Sequence, residues 1–154
     1  SSDVCSSDLS GHELRVELQA GHATAALWAD ATKTSQALTN VLSNAIKYSR
    51  PGTVVRVSSL EREGRLGIVV SDQGIGMTTA QLARIFERFY RADPSGNIPG
   101  TGLGMSLVKE IMEQQQGEVE IRSEAGIGTA VTLWLPLAAS AAGAQAALPA
   151  PAGG

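Results

Sequence analysis

Four clusters in this 154-residue chain have residue types and spacings that chemistry could use. The first is QALTNVLSNAIKYS, residues 36–49. At about 100° per residue, Leu38, Val41, Leu42, Ala45 and Ile46 form an apolar stripe. Asn40, Asn44, Lys47 and Tyr48 gather on another face, at spacings of four, three and one. Such a face can simply be solvated. Asparagine is a poor helix former, however, so two of them beside a lysine and a tyrosine also suit a face turned toward a ligand. An Asn carbonyl can ligate Mg²⁺, which takes few protein ligands and completes its shell with phosphate and water. Lys47 offers a point charge to phosphate, and Tyr48 a flat ring to a base.

The second cluster is SDQGIGM, residues 71–77. Asp72 ends an apolar strand, and Gly74 and Gly76 allow close backbone approach. An ionised aspartate only accepts hydrogen bonds, so it suits an amino donor such as adenine N6. A plain turn between two elements would use the same residues. The third cluster is PGTGLGMSLVKEI, residues 99–111, in which Gly100, Thr101, Gly102, Leu103 and Gly104 lead into a helix. Amides at a glycine-rich helix start bind phosphate; a hinge would look the same. GxxxxGK[ST] is absent, and a loop rather than a strand precedes the glycines, so neither a P-loop nor a dinucleotide fingerprint fits. The fourth is IFERFYRAD, residues 85–93. Phe86 and Phe89 suit a core, while Arg88 and Arg91 are placed to be solvated or to reach a phosphate.

To act together, these clusters must be brought to one place by the elements between them. Leu14, Val16 and Leu18 alternate with polar residues as in a half-buried strand, and residues 25–28 read as a second. Asp30 and Thr32 are N-cap candidates for a helix running to about Tyr48, which Arg50-Pro51-Gly52 stops. Residues 53–60 and 65–71 are strands joined by a hairpin at Glu61–Gly64. Thr78 caps a helix through about Phe86. A third helix, about 103–116, ends at Gly117. Residues 118–123 and 129–135 are closing strands. This mixture predicts an α+β fold, a two-layer α/β sandwich.

Composition narrows the class. The chain is 43% hydrophobic but 4% aromatic, so the core is aliphatic. A net charge of −3 argues against a surface that holds nucleic acid. The single cysteine, Cys5, allows no intramolecular disulfide, which agrees with a reducing cytoplasm. No apolar run reaches the ~18–20 residues of a membrane span, so no membrane contact is expected of these residues. Residues 1–10, with the repeated SSD, read as a disordered leader or artefact. Residues 138–154 read as a disordered tail rich in Ala, Pro and Gly, which leaves 11–137 as the folded domain.

In the order NxxxNAxKY, DxGxG, FxxFYR and GTGLG, the four motifs resemble the N, G1, F and G2 boxes of the sensor histidine kinase catalytic domain. That domain belongs to the ATPase superfamily of gyrase, Hsp90 and MutL. The resemblance implies a Bergerat-type fold, a mixed and mostly antiparallel sheet covered on one face by three helices. It implies ATP and Mg²⁺ as cofactors. Asn44 matches the metal ligand, Asn40 its partner, Lys47 the phosphate contact, and Tyr48 the residue beside the adenine. Asp72 matches the adenine-binding aspartate, with Gly74 and Gly76 shaping that wall. Gly100 to Gly104 match the phosphate-side anchor of a lid spanning 92–99. Arg91 aligns with an arginine that contacts the γ-phosphate in some members. Gln115 and Gln116 depart from the family's usual His-Gly.

The reaction implied is transfer of the ATP γ-phosphoryl to a histidine on a separate dimerisation domain, then to a response-regulator aspartate. His12-Glu13-Leu14-Arg15 mimics the phosphoacceptor box. Val16-Glu17 replaces its Thr-Pro, the segment alternates like a strand, and the 27 residues between His12 and Asn40 cannot hold a two-helix hairpin as well as two strands. The expectation is therefore a nucleotide domain that does not phosphorylate itself. Two rivals are a superfamily ATPase and a non-catalytic nucleotide-binding module. The first needs a catalytic acid upstream of the first asparagine, where Gln36 stands.

Overall fold

The computed structural model describes residues 2–9, 12–19, 21, 26–27, 29–87, 90 and 104–139. Seven strands and three helices are described: β1 (Ser2–Leu9), β2 (His12–Gln19), β3 (Ala26–Leu27), α1 (Ala31–Tyr48), β4 (Val54–Arg62), β5 (Arg65–Asp72), α2 (Thr79–Leu82), α3 (Gly104–Gln114), β6 (Glu118–Glu124) and β7 (Gly128–Ala139). The sheet runs β1-β2-β4-β5-β7, and both β6 and β3 pair with the far side of β7. Only the β2–β4 pair is parallel. A parallel neighbour needs a crossover, and α1 supplies it between β2 and β4. The arrangement is the mixed, mostly antiparallel α+β sandwich expected from the sequence.

Alternation explains which face of the sheet the helices cover. Val55 and Val57 of β4, Val70 of β5, and Val131, Leu133 and Leu135 of β7 are buried in one cluster. Ala37, Val41 and Ala45 of α1 join it, as do Met105, Val108, Ile111 and Met112 of α3. Each large aliphatic side chain buried there contributes about 1.5–3 kcal/mol. On the opposite face Trp134 lies over Gly67, its strand partner, where an added Cβ would meet the indole at 2.7 Å. Arg62 stacks 4.3 Å from the indole centroid, and Nε1 donates to Glu120 Oε1 at 3.0 Å.

Helices α1 and α3 run antiparallel. Lys33 Nζ donates to Gln114 Oε1 at 3.4 Å, and Gln115 exchanges hydrogen bonds with Thr34 and accepts from Asp30 N–H. Gln115 thus holds the start of α1. Asp30 also caps α1, accepting from Lys33 N–H at 3.0 Å.

Four boundaries differ from the sequence reading. Residues 2–9, expected as an unstructured leader, form β1 antiparallel to β2. Edge pairing uses backbone amides and carbonyls, so it does not require the amphipathic period that was missing. Strand β7 continues to Ala139 because Leu137 and Ala139 pair with β3; residues 140–154 of the expected tail lie outside the described residues. Helix α2 starts with a Thr78–Gln81 capping box but stops at Leu82. The chain then tightens through i→i−3 bonds, Arg84 to Gln81 and Glu87 to Arg84.

The last difference is the end of α3. Gly117 N–H donates to Met112 O at 2.8 Å and Gln116 N–H to Glu113 O at 3.1 Å, the paired bonds of a Schellman motif. The left-handed position is Gln116, with φ 59°, and not Gly117. A glycine there would relieve Cβ strain. Gln116→Gly is expected to stabilise the fold by about 0.5–1 kcal/mol, read as a raised midpoint in urea denaturation. A lowered midpoint would contradict this.

Candidate functional site

The site grows from the C-terminal half of α1. Asn40, Asn44 and Tyr48 are half-buried there, and Lys47 is exposed in the last turn. A cation at that end of a helix is favoured by the macrodipole. The antiparallel packing decides what Asn44 faces. Thr34 to Asn44 and Gln115 to Gly104 are ten and eleven residues, or about 15–17 Å of helix each. Anchoring Gln115 to Thr34 therefore brings Gly104, the first residue of α3, beside Asn44. A Cβ at Gly104 would lie 3.3 Å from Asn44 Nδ2 and 3.6 Å from Oδ1. No acidic residue occupies the first turn of α3, so its amide end is left positive for an anion.

The other end of the arc is the loop after β5. Ile75 N–H donates to Tyr48 O at 3.2 Å, and Ser49 bridges Gly74. Both glycines are required by this closeness. A Cβ at Gly74 would fall 2.1 Å from Tyr48 O. Gly76 has φ +64°, and its Cβ would fall 2.0 Å from Glu124 O. Gly126, in the turn after β6, donates its N–H to Ile75 O at 2.7 Å, and Arg50 Nη2 donates to Gly126 O at 2.8 Å.

Asp72 stands between these parts. Its Oδ1 accepts Gly74 N–H at 2.9 Å and Thr129 N–H at 3.3 Å. Both amides use the same oxygen, so Oδ2 is the one turned to other partners. Burial pushes this carboxyl above its usual range, and the two amides pull it partly back. The arc Gly104, Asn44, Tyr48, Gly74, Asp72 and Thr129 thus has a helix N-terminus at one end and a hydrogen-bond acceptor at the other. Among the described residues no three His, Cys, Asp or Glu side chains gather to hold a metal. An ion here would take few protein ligands, which is the habit of Mg²⁺.

The structure brings Asn44 beside Gly104, and Tyr48 and Asp72 beside Gly74, while Gly76 packs against Glu124. Asn40 and Lys47 share helix α1 with Asn44 and Tyr48. Arg88, Arg91, residues 92–99, Gly100, Thr101, Gly102 and Leu103 lie outside the described residues. Phe86 packs against the core, with Lys109 Nζ 5.2 Å from its ring centroid. The segment at His12 is strand β2, with Leu14 and Val16 against the core, so the phosphoacceptor look-alike is sheet. His22 lies outside the described residues. Sequence reading missed Thr129 and Ser123 as neighbours of Asp72; the register Asp72↔Thr129↔Ser123 places them, and only pairing reveals it.

Comparison with known proteins gives this geometry a family. Residues 29–139 match the histidine kinase-, DNA gyrase B-, and HSP90-like ATPases, and the chain belongs to that family. It is 43% identical over 107 residues to the sensor histidine kinase YkoH of Bacillus subtilis, covering 68% of this chain and 23% of that protein. It is 40% identical over 102 residues to the sensor-like histidine kinase SenX3 of Mycolicibacterium smegmatis, covering 65% of this chain and 27% of that one. The chain thus spans about a quarter of these relatives' length. Full-length ShkA, solved in complex with AMPPNP, superposes with a TM-score of 0.71 at 28% identity, over 82% of this chain and 26% of that one.

The close approach at Gly76 has a measurable consequence. Gly76→Ala must move the turn at Glu124 and strain its own backbone, so a loss of about 2–4 kcal/mol is expected in urea denaturation. A loss below about 0.5 kcal/mol would mean that the two loops do not meet as described.

Proposed function

We propose that this chain is the ATP-binding catalytic domain of a two-component sensor histidine kinase. In this reading it transfers the ATP γ-phosphoryl to a histidine on a dimerisation domain that is not among these residues. The phosphate then passes to an aspartate on a response-regulator receiver domain. The observation that carries the reading is the arc itself, with an acceptor-only carboxylate at one end and Asn44 against a helix N-terminus at the other. Membership in the ATPase family, sensor kinases among the relatives, and AMPPNP in the ShkA complex all support it.

Roles follow from the chemistry of each group. Asp72 Oδ2 accepts from the adenine amino group, and Gly74 and Gly76 keep side chains off that wall. Tyr48 flanks the base. The amides of Gly104 and of the glycine run before it, residues 100–103, receive the phosphates. Lys47 adds a point charge, and Arg91 aligns with an arginine that contacts the γ-phosphate in some members of the family. Asn44, with Asn40 on the same face, would hold Mg²⁺, whose contribution is to neutralise charge on the phosphates. Catalysis by these residues is positioning and electrostatics, and the nucleophile comes from the partner domain.

No helix among the described residues is long and apolar enough to cross a membrane. We place the domain in the cytoplasm, where its nucleotide is. A hydrolytic ATPase is the weaker reading, because Gln36 carries no carboxylate with which to activate water.

Asp72→Asn puts an amide where the carboxylate accepted. Affinity for a fluorescent ATP analogue is expected to fall roughly 10–100-fold. In the unsubstituted chain binding requires the ionised form, and burial raises that group's pKa. Affinity should therefore fall on acidification at a pH above the ordinary aspartate range, and this dependence should vanish in Asp72→Asn. Unchanged affinity in the variant would refute the pocket assignment.

Radiolabelled γ-phosphate should stay off the chain alone and appear on a cognate two-helix acceptor domain when one is added. Labelling of the isolated chain that His12→Ala abolishes would overturn this division of labour.

A further inference from the structure

We propose that Ser123 is a positioning residue that sets the base selectivity of the site by holding the two clamps on Asp72. The inference rests on the reading of Asp72 as the adenine acceptor. Ser123 lies on β6, in register with Thr129 of β7, which is in turn in register with Asp72 of β5. Its hydroxyl meets three groups: it accepts Met77 N–H at 2.8 Å, and it lies 3.1 Å from Gly128 O and 2.8 Å from Thr129 Oγ1.

A serine hydroxyl has one hydrogen and two lone pairs. One assignment satisfies every group. Ser123 accepts from Met77 N–H and from the Thr129 hydroxyl, and donates to Gly128 O. The side chain then ties together two pieces of backbone that approach from opposite sides. Met77 closes the Gly74–Gly76 loop, and Gly128-Thr129 begins β7. These same two pieces supply the amides of Gly74 and Thr129 that grip Asp72 Oδ1. The terminal torsion of an aspartate is broad when nothing holds it. With Oδ1 held at two amides, Oδ2 has one direction, and that direction is what distinguishes an amino group from another substituent on the base.

Loss of the Ser123 hydroxyl loosens the grip without touching Asn44, Lys47 or the start of α3. The expected signature is therefore a loss of discrimination at the base rather than of triphosphate binding. A merely structural role would lower stability, or weaken all nucleotides together.

The test displaces a fluorescent ATP analogue from the 154-residue chain with ATP and with purine riboside triphosphate, which lacks the 6-amino group. The unsubstituted chain should prefer ATP about tenfold or more. Ser123→Ala should cut that preference to about threefold or less, while affinity for purine riboside triphosphate stays within about threefold. Ser123→Thr, which keeps the hydroxyl, should restore it. If Ser123→Ala does not fold, Ser123→Cys, of similar size but a weak hydrogen-bonding group, carries the same comparison. Full ATP preference in Ser123→Ala or Ser123→Cys overturns the inference, as does parallel weakening of both nucleotides. No preference in the unsubstituted chain refutes instead the adenine role of Asp72, and this inference falls with it.

Discussion

The meeting of three backbones at Gly74 and Gly76 is the constraint on which the rest of the site depends. The end of α1, the loop after β5 and the turn after β6 approach until no side-chain carbon fits between them. A Cβ at either glycine would sit about 2 Å from a carbonyl oxygen, of Tyr48 in one case and Glu124 in the other. Such contact leaves the loop no lateral freedom. Asp72, two residues before Gly74, therefore points where the sheet and the helix end together dictate.

A second constraint is the length match of α1 and α3. Gln115 ties the end of α3 to the start of α1, and equal helical rise carries the opposite ends into register. Asn44 meets Gly104 for that reason. The helix pair works as a ruler, in which the contact at one end sets the spacing of Asn44 and Gly104 at the other. Gln115 makes this tie with both halves of its amide, which can donate and accept at once.

Electrostatics divides the molecule. The face of the sheet away from the helices carries paired charges, Arg15–Glu13, Arg56–Glu17, Arg62–Glu120 and Arg65–Glu118. Exposed pairs of this kind contribute about 0–1 kcal/mol each, so they keep the face soluble more than they hold the fold. The site is different. One carboxylate is partly desolvated and gripped by two amides, opposite a helix start with no acid in its first turn. The asymmetry of the site thus comes from backbone dipoles as much as from charged side chains.

Much of this was legible before any coordinates. The apolar stripe of α1, the alternation in β2, the hairpin joining β4 and β5, and the Thr78 cap are local patterns, and local patterns survive in one dimension. The motif residues were legible as well, because their chemistry lies in residue type. Boundaries were less so: β1 forms through backbone pairing that leaves no mark in side-chain type, and the left-handed residue after α3 is a glutamine where glycine would be expected. The sequence by itself determined which groups could take part, from Asn40 and Asn44 to Asp72 and Gly104. Only the tertiary structure decided that Asp72 is held by the amides of Gly74 and Thr129, with Ser123 behind them. Strand register and helix packing join residues 57 and 51 positions apart, and no spacing along the chain records such contacts.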